Sequence, residues 1–363
     1  MANNQNNNQE EAILNSIKLS RIIPPILLGL AVVGYLMYQQ LDIEELLKIN
    51  WSGYVFFWVL MAIMMYVLRH IFYSWRLRIM TDNYFSWIKS IELITLWEFA
   101  SAISPTSIGG AGVALFLLAQ EKLSTAKTVS VVIYSMVLDT VFFVVSLPLL
   151  FFIIGPIIIR PEMNSISDLD GFGYTFFGML LFMTIYGAIF FYGLFINPNT
   201  IKKLLLFFSR ISILKRFKTS IVQTAEDIVL SSKEMQSKSW HFHFSAMVAT
   251  SGAWITRFLA INCIIIALIV ATPVDLYNQL IIMARGETMH ITTAFSPTPG
   301  GAGVIEYLFG GYYTDYVAKG IASLIALIWR LITYYSYLIG GAIIIPIWYR
   351  ELMIRRKREK ADL

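Results

Sequence analysis

Apolar residues run along this chain in long blocks, with polar residues confined to the gaps between them. Six blocks, at 22–38, 52–74, 126–155, 172–196, 243–270 and 316–348, reach or approach the roughly 20 apolar residues a helix needs to cross a bilayer. Two more, about 88–118 and 278–312, are as apolar but are each interrupted in the middle. The interruption is nearly the same phrase both times. Ser104-Pro105-Thr106-Ser107-Ile108-Gly109-Gly110-Ala111-Gly112 recurs as Ser296-Pro297-Thr298-Pro299-Gly300-Gly301-Ala302-Gly303. Helix-breaking backbone at membrane depth is tolerated only inside protein or against a wet cavity. The halves of the split blocks, such as 91–103 and 109–118, are too short to cross alone. Each split block therefore reads as a helical hairpin that enters the membrane and returns to the same side. The pattern predicts an all-α polytopic membrane protein: an inverted repeat with six spanning helices and two re-entrant helical hairpins, eight helical membrane segments if each hairpin counts once.

Charge placement sets the orientation. With the N-terminus in the cytoplasm, 21 of the 28 Lys and Arg fall in inside segments, and three (Lys48, Arg160, Lys319) fall outside. The other four, Arg69, Arg257, Arg285 and Arg330, lie within the membrane zone. This is a strong positive-inside bias, and a net crossing by either split block would destroy it. The divisions expected are a cytosolic tail at 1–21, a first membrane repeat at 22–155, an outer loop at 156–171 and a second repeat at 172–348. A cytosolic amphipathic connector, 200–240, lies within the second repeat, and a basic cytosolic tail, 349–363, follows it. The stretch from Lys202 to Arg216 is basic and apolar enough to lie on anionic inner-leaflet lipid, or to pack as an amphipathic helix under the bundle. The basic tail is read as a second contact with those lipids.

Composition agrees: 57% of residues are hydrophobic and 14% charged, against about 25% charged in soluble domains. The net charge of +5 sits on membrane flanks, so nucleic-acid binding is not expected. A lone cysteine, Cys263, excludes an internal disulfide. The four histidines are scattered, the one close pair being His241 and His243, so neither metal nor cofactor is expected. No phosphate-binding loop for ATP is visible.

Ionisable residues inside a membrane are costly and usually functional. Asp139 lies 27 residues after Gly112 and Arg330 lies 27 after Gly303, so opposite charges occupy equivalent places in the two halves. Glu98 and His290, each six residues before its serine, are likewise equivalent. Arg257, Arg285, Glu287 and Glu306 complete the candidates, with Arg69 and His70 read as snorkelling from one span. Gly-rich turns expose amide N–H groups, which suit an anion. The substrate site is therefore expected at Gly109, Gly110, Gly112, Thr298, Gly300, Gly301 and Gly303 with these charges around it. Asp139 is expected to balance Arg330. Arg330 is expected to draw the headgroup anion, with Glu306 reading its cationic part or carrying a coupling proton.

Pro297-Thr298-Pro299-Gly300-Gly301-Ala302-Gly303-Val304-Ile305-Glu306, followed by Arg330 in the next helix, resembles the signature of the flippase-like family. This is the lysylphosphatidylglycerol synthase transmembrane-region superfamily, which includes the flippase domain of the multiple peptide resistance factor. The resemblance covers about residues 15–350. The first phrase departs from it: relatives commonly carry Pro-x-Arg-x-Gly-Glu where this chain has Pro105-Thr106-Ser107-Ile108-Gly109-Gly110. The resemblance implies movement of a lipid with a polar headgroup between leaflets of a bacterial inner membrane, with both termini cytoplasmic. With no aminoacyl-transferase domain after Leu363, no enzymatic activity is expected. A homodimer is compatible with this reading. Two alternatives stay open: a membrane-embedded enzyme acting on a lipid-linked substrate, and a secondary transporter of a small anion.

Overall fold

A computed structural model describes residues 49–208 apart from 104–106, and residues 231–361 apart from Phe295, Pro297 and Ala302. It also describes six isolated positions: Tyr38, Glu44, Leu47, Val222, Glu226 and Val229. The tail 1–21, most of the block 22–38, Thr106 of the first phrase and the connector from 209 to 221 lie outside the described residues.

Every described element is helical. In chain order they are α1 (Gly53–Met80), α2 (Trp87–Ile103), α3 (Ser107–Gln120), α4 (Thr125–Ile154), α5 (Gly171–Phe195) and α6 (Pro198–Phe208). The second part holds α7 (Trp240–Leu268), α8 (Leu276–Thr293), α9 (Val304–Tyr312), α10 (Lys319–Arg330) and α11 (Ser336–Ala361). Among the described residues five helices are long and apolar enough to span a membrane: α1, α4, α5, α7 and the run from Lys319 to Arg355, in which a π-turn at Leu331–Tyr335 joins α10 to α11. This is a polytopic membrane fold.

The boundaries follow from local chemistry. Ser124, Asp170, Ser239 and Asp275 precede α4, α5, α7 and α8, and each side chain accepts a backbone N–H from the first turn. Without these acceptors the opening N–H groups of a helix stay unpaired. Gly155, at φ +96°, closes α4 in a backbone state that a residue with a Cβ rarely adopts.

α7 is the most enclosed helix, with 72% of its most apolar window buried against 17% in α1 and in α5. α1 packs along it more extensively than any other described pair. The approach is close because Gly252 lacks a side chain: a Cβ there would lie 2.6 Å from the Phe72 ring. Small residues are how membrane helices come this near. Two apolar clusters divide the bundle lengthwise. One takes Val55 and Ala62 of α1 with Phe142, Phe143, Leu147 and Leu150 of α4. The other takes Tyr73, Leu77 and Met80 of α1 with Val129 to Leu138 of α4. Arg69 and Asp139 fall between the two, and Asp139 sits at the middle of the 30-residue α4.

Near the helix ends, two ion clusters tie neighbouring segments together. Glu121, in the turn after α3, accepts from Trp348 Nε1 at 2.7 Å and from Arg355 at 3.0 and 3.1 Å, and lies 3.0 Å from Lys89. Burial works against its charge, but the hydrogen bonds from Arg355, Lys89 and Trp348 outweigh it and hold the carboxyl below its ordinary range. Asp82, in the turn after α1, receives Lys127 and Lys238. α11 continues unbroken through Ala361, so the basic residues from 350 on extend the helix.

The two copies of the phrase fold differently, which corrects the reading of both as Gly-rich turns. Gly109, Gly110 and Gly112 lie within α3 as helical backbone. In the second copy Gly300, Gly301 and Gly303 have φ of +56°, +69° and +82°, a true break between α8 and α9. The reason is Pro299, which stands where the first copy has Ser107-Ile108. Proline lacks an N–H, and it also pushes the preceding residue away from helical geometry. The Pro299–Gly301 turn packs against α2, so the break in one segment still meets the other segment.

Candidate functional site

Between the two clusters lies a cavity of about 380 Å³. Its charged wall comes from several helices at once: Arg69 and Arg76 of α1, Glu98 of α2, Asp139 of α4, Arg257 of α7 and Arg330 of α10. His290 of α8 also lines it, as do Thr298, Gly300 and Gly301 of the broken segment.

Three of the four arginines are neutralised. Arg69 is 1% exposed and reaches Glu98 at 2.7 Å, and it also donates to the Tyr337 hydroxyl at 2.8 Å. Arg76 meets Asp139 at 2.6 Å, and Trp254 Nε1 donates to the same carboxylate oxygen at 2.8 Å. Arg330 lies 2.9 Å from Glu306, stacks 4.0 Å over the Tyr334 ring and donates to the Gly300 carbonyl oxygen at 2.7 Å. The Arg330–Glu306 approach is an ion pair by distance, with Nε and Oε1 off the hydrogen-bonding direction. Glu306 also accepts the Gly303 N–H at 2.7 Å and so caps the start of α9.

Arg257 is different. It lies 5.5 Å over the Trp254 ring, and among the described residues no carboxylate pairs with it and its Nε has no acceptor. A guanidinium carries five N–H donors. The carboxylate nearest in effect is Glu98, which Arg69 already holds, so the donors of Arg257 face the cavity without an ion-pair partner among the described residues.

The site thus gathers Glu98, Asp139, Arg257, His290, Thr298, Gly300, Gly301 and Arg330 from the residues the sequence had marked. Others stand elsewhere. Glu306 is 1% exposed and is not among the residues lining the cavity; its described contacts are with Arg330 and the turn. Arg285 is fully buried, paired with Asp315 and donating to the Ile157 carbonyl at 3.0 Å, where it fastens α8 to the loop after α4. Glu287 is buried against Ser146. Gly110 and Gly112 on α3 and Gly303 at the start of α9 do not line the cavity, and for Gly109 only the helical backbone is described. Asp139 does not balance Arg330: each has its own partner, Arg76 and Glu306.

Arg69 and Arg76 were the misses, the first read as snorkelling and the second counted as cytosolic. A signal was available. Arg69, Tyr73 and Arg76 stand at i, i+4 and i+7, the spacing of one helix face, and all three line the cavity.

Long apolar helices around a charged internal cavity define a multi-pass integral membrane protein. The chain belongs to the family of the lysylphosphatidylglycerol synthase TM region, whose model matches residues 22–341. A UPF0104 membrane protein of Archaeoglobus fulgidus is similar, 23% identical over 300 residues that cover 79% of this chain and 85% of that protein. No solved structure matches the chain.

Proposed function

We propose that this protein moves a lipid with an anionic or zwitterionic headgroup between the leaflets of a bacterial cytoplasmic membrane. The observation that carries the reading is Arg257, a cation in a cavity at mid-bundle with no described carboxylate in ion-pair contact, its nearby Glu98 being held by Arg69. An unpaired buried charge is expensive, and a headgroup phosphate would repay it with charge-assisted hydrogen bonds. Membership in a family described by a lipid synthase's membrane region supports a lipid as the cargo. Each carboxylate on the cavity wall is matched by an arginine, which favours a binding and transport site over an acid–base catalyst.

The same reading takes the molecule as two inverted halves with both termini cytoplasmic. Support comes from the cavity wall, which receives Glu98 with His290 and Asp139 with Arg330, the pairs at equivalent distances from the two phrases. α1 and α7, equivalent members of the halves, pack against each other at the centre. A re-entrant pair α2–α3 and a broken pair α8–α9 then bring short helices to the cavity from opposite sides, as in transporters built from inverted repeats.

The test is reconstitution of the full chain in liposomes holding fluorescent lipids with glycerol, serine and choline headgroups. Dithionite then reports which lipids leave the protected leaflet. Protein-dependent loss of protection for a phosphate-bearing lipid supports the proposal. A soluble anion is the second reading, since a 380 Å³ cavity suits a headgroup or a free anion of that size equally. Uptake of such an anion with no lipid movement would reverse the order.

A further inference from the structure

Behind the cavity wall one carboxyl group has no counter-charge. Glu287 on α8 is 1% exposed and accepts a hydrogen bond from Ser146 Oγ of α4 at 2.7 Å. Its Oε1 has no partner among the described residues. Every element packed around it leaves it without a cation. On its own helix Arg285 is taken by Asp315 and the Ile157 carbonyl. α5 carries no charged residue, and the Pro156–Ile158 turn carries none. α4 carries Lys127, at its far end and held by Asp82 and Glu234, and Asp139, two turns before Ser146 and held by Arg76. From α9 it is Glu306, held by Arg330 and Gly303. The Tyr312 hydroxyl meets Thr292, and Tyr313 donates to the Ile282 carbonyl. α7 offers Arg257, which faces the cavity.

His290 follows Glu287 by one helical turn on α8 and lines the cavity together with Arg257. Its ring lies 4.8 Å from Trp254, the ring under Arg257, and 5.4 Å from Phe143, one turn before Ser146. Among the described residues the membrane interior therefore holds one cation and one carboxyl without an ion-pair partner, with His290 on the carboxyl's own helix. A bare carboxylate there is too costly to persist unless something else supplies the opposite charge.

We infer that Glu287 binds a proton that travels with the cargo, linked to the anion on Arg257 through His290. The inference rests on the transport reading above. In the empty protein, Arg257 and an ionised Glu287 leave the interior balanced. When an anion occupies Arg257, that balance passes to the anion, and Glu287 is balanced by a proton. Both states are neutral, so anion and proton favour each other's binding and move in the same direction. The coupling proton thus belongs to Glu287 and not to Glu306, which already has a cation.

The test uses the full chain in sealed vesicles of phosphatidylethanolamine and phosphatidylglycerol, with a pH dye in the lumen and fluorescent phosphatidylglycerol as cargo. Acid outside should speed inward lipid movement several-fold and acidify the lumen. Glu287→Gln should lose both responses. Ser146→Ala, which removes the hydroxyl on Glu287, should shift the pH profile of transport. If Glu287→Gln inserts and melts like the parent protein yet keeps the gradient response, the inference fails. Should that variant not fold, an unchanged pH profile in Ser146→Ala overturns it equally. If no lipid moves but a proton current accompanies uptake of inorganic phosphate and vanishes in Glu287→Gln, the lipid reading fails and the proton site stands.

Discussion

Arg330 donates to the Gly300 carbonyl oxygen at 2.7 Å, so a buried side chain of α10 fastens the broken segment between α8 and α9. Its charge is matched by Glu306, which holds the Gly303 N–H at the other end of the same turn. Removing either charge strands the other in the interior. Arg330→Ala and Glu306→Ala should each cost about 3–5 kcal/mol. The double variant should lose less than the sum of the singles, as coupled pairs do. Thermal unfolding in detergent reads this, and strictly additive losses would show that the two charges do not act together.

Two of the glycines inside α3, Gly110 and Gly112, should differ. A Cβ at Gly110 would run into the Ser101 side chain and approach its Cα, whereas nothing lies within 4 Å of one at Gly112. α2 and α3 thus depend on Gly110 for their close approach. Gly112→Ala should be tolerated, and by replacing a helical glycine it should stabilise by up to about 1 kcal/mol. Gly110→Leu should separate the two helices and lower the melting temperature by several degrees. Equal effects at both sites would contradict the packing described.

The Glu121 cluster should make stability pH-dependent in acid. Its carboxyl is held below the ordinary range, so its contribution is complete above the unfolded value of about 4.3 and is lost as pH falls through the lower folded value. Melting temperature should therefore stay level from neutral pH to about 5 and drop below about 4. Glu121→Gln should lower the neutral value and flatten that acid step, measured by detergent-solubilised thermal shift across pH.

The orientation can be read by labelling. Cys263 is buried, so single cysteines introduced at exposed positions report cleanly. Ser167, in the loop between α4 and α5, and Lys233, before α7, are both exposed. Ser167→Cys should label in intact cells and Lys233→Cys only after permeabilisation. Labelling of the second in intact cells would end the inverted-repeat proposal.

Much of this molecule was legible because apolar length has few solutions in a bilayer. The blocks 126–155, 172–196 and 243–270 became α4, α5 and α7 within a few residues. The equivalent pairs, Glu98 with His290 and Asp139 with Arg330, reach one cavity wall, because spacing from a shared landmark survives folding. Pairing was not legible. Asp139 chose Arg76, 63 residues earlier, and no local pattern carries a contact between distant helices. Counting Arg76 by its place near a helix end hid that α1 runs on to Met80, which keeps this arginine inside. The glycine phrases misled for a related reason. Glycine permits a break but does not demand one, and the neighbouring Pro299 made the difference.

Arg257 gives the sharpest separation of function from stability. Arg69, Arg76 and Arg330 each hold a carboxylate, so replacing them strands a charge and damages the fold along with any activity. Arg257 holds none among the described residues; it lies 5.5 Å over the Trp254 ring, and the nearby Glu98 is held by Arg69. Arg257→Ala removes an unpaired cation and one cation–π contact worth about 0.5–2 kcal/mol, against a desolvation cost that disappears with the charge. Its melting temperature should equal or exceed that of the parent protein, while movement of anionic lipid in the dithionite assay should fall at least about tenfold, the loss of roughly 1.4 kcal/mol or more of binding. Arg257→Lys should recover part of the rate, since a point charge keeps the attraction but loses the planar fork of donors. If Arg257→Ala transports at the parent rate with an unchanged fold, the anion seat is not at this arginine and the functional proposal falls with it.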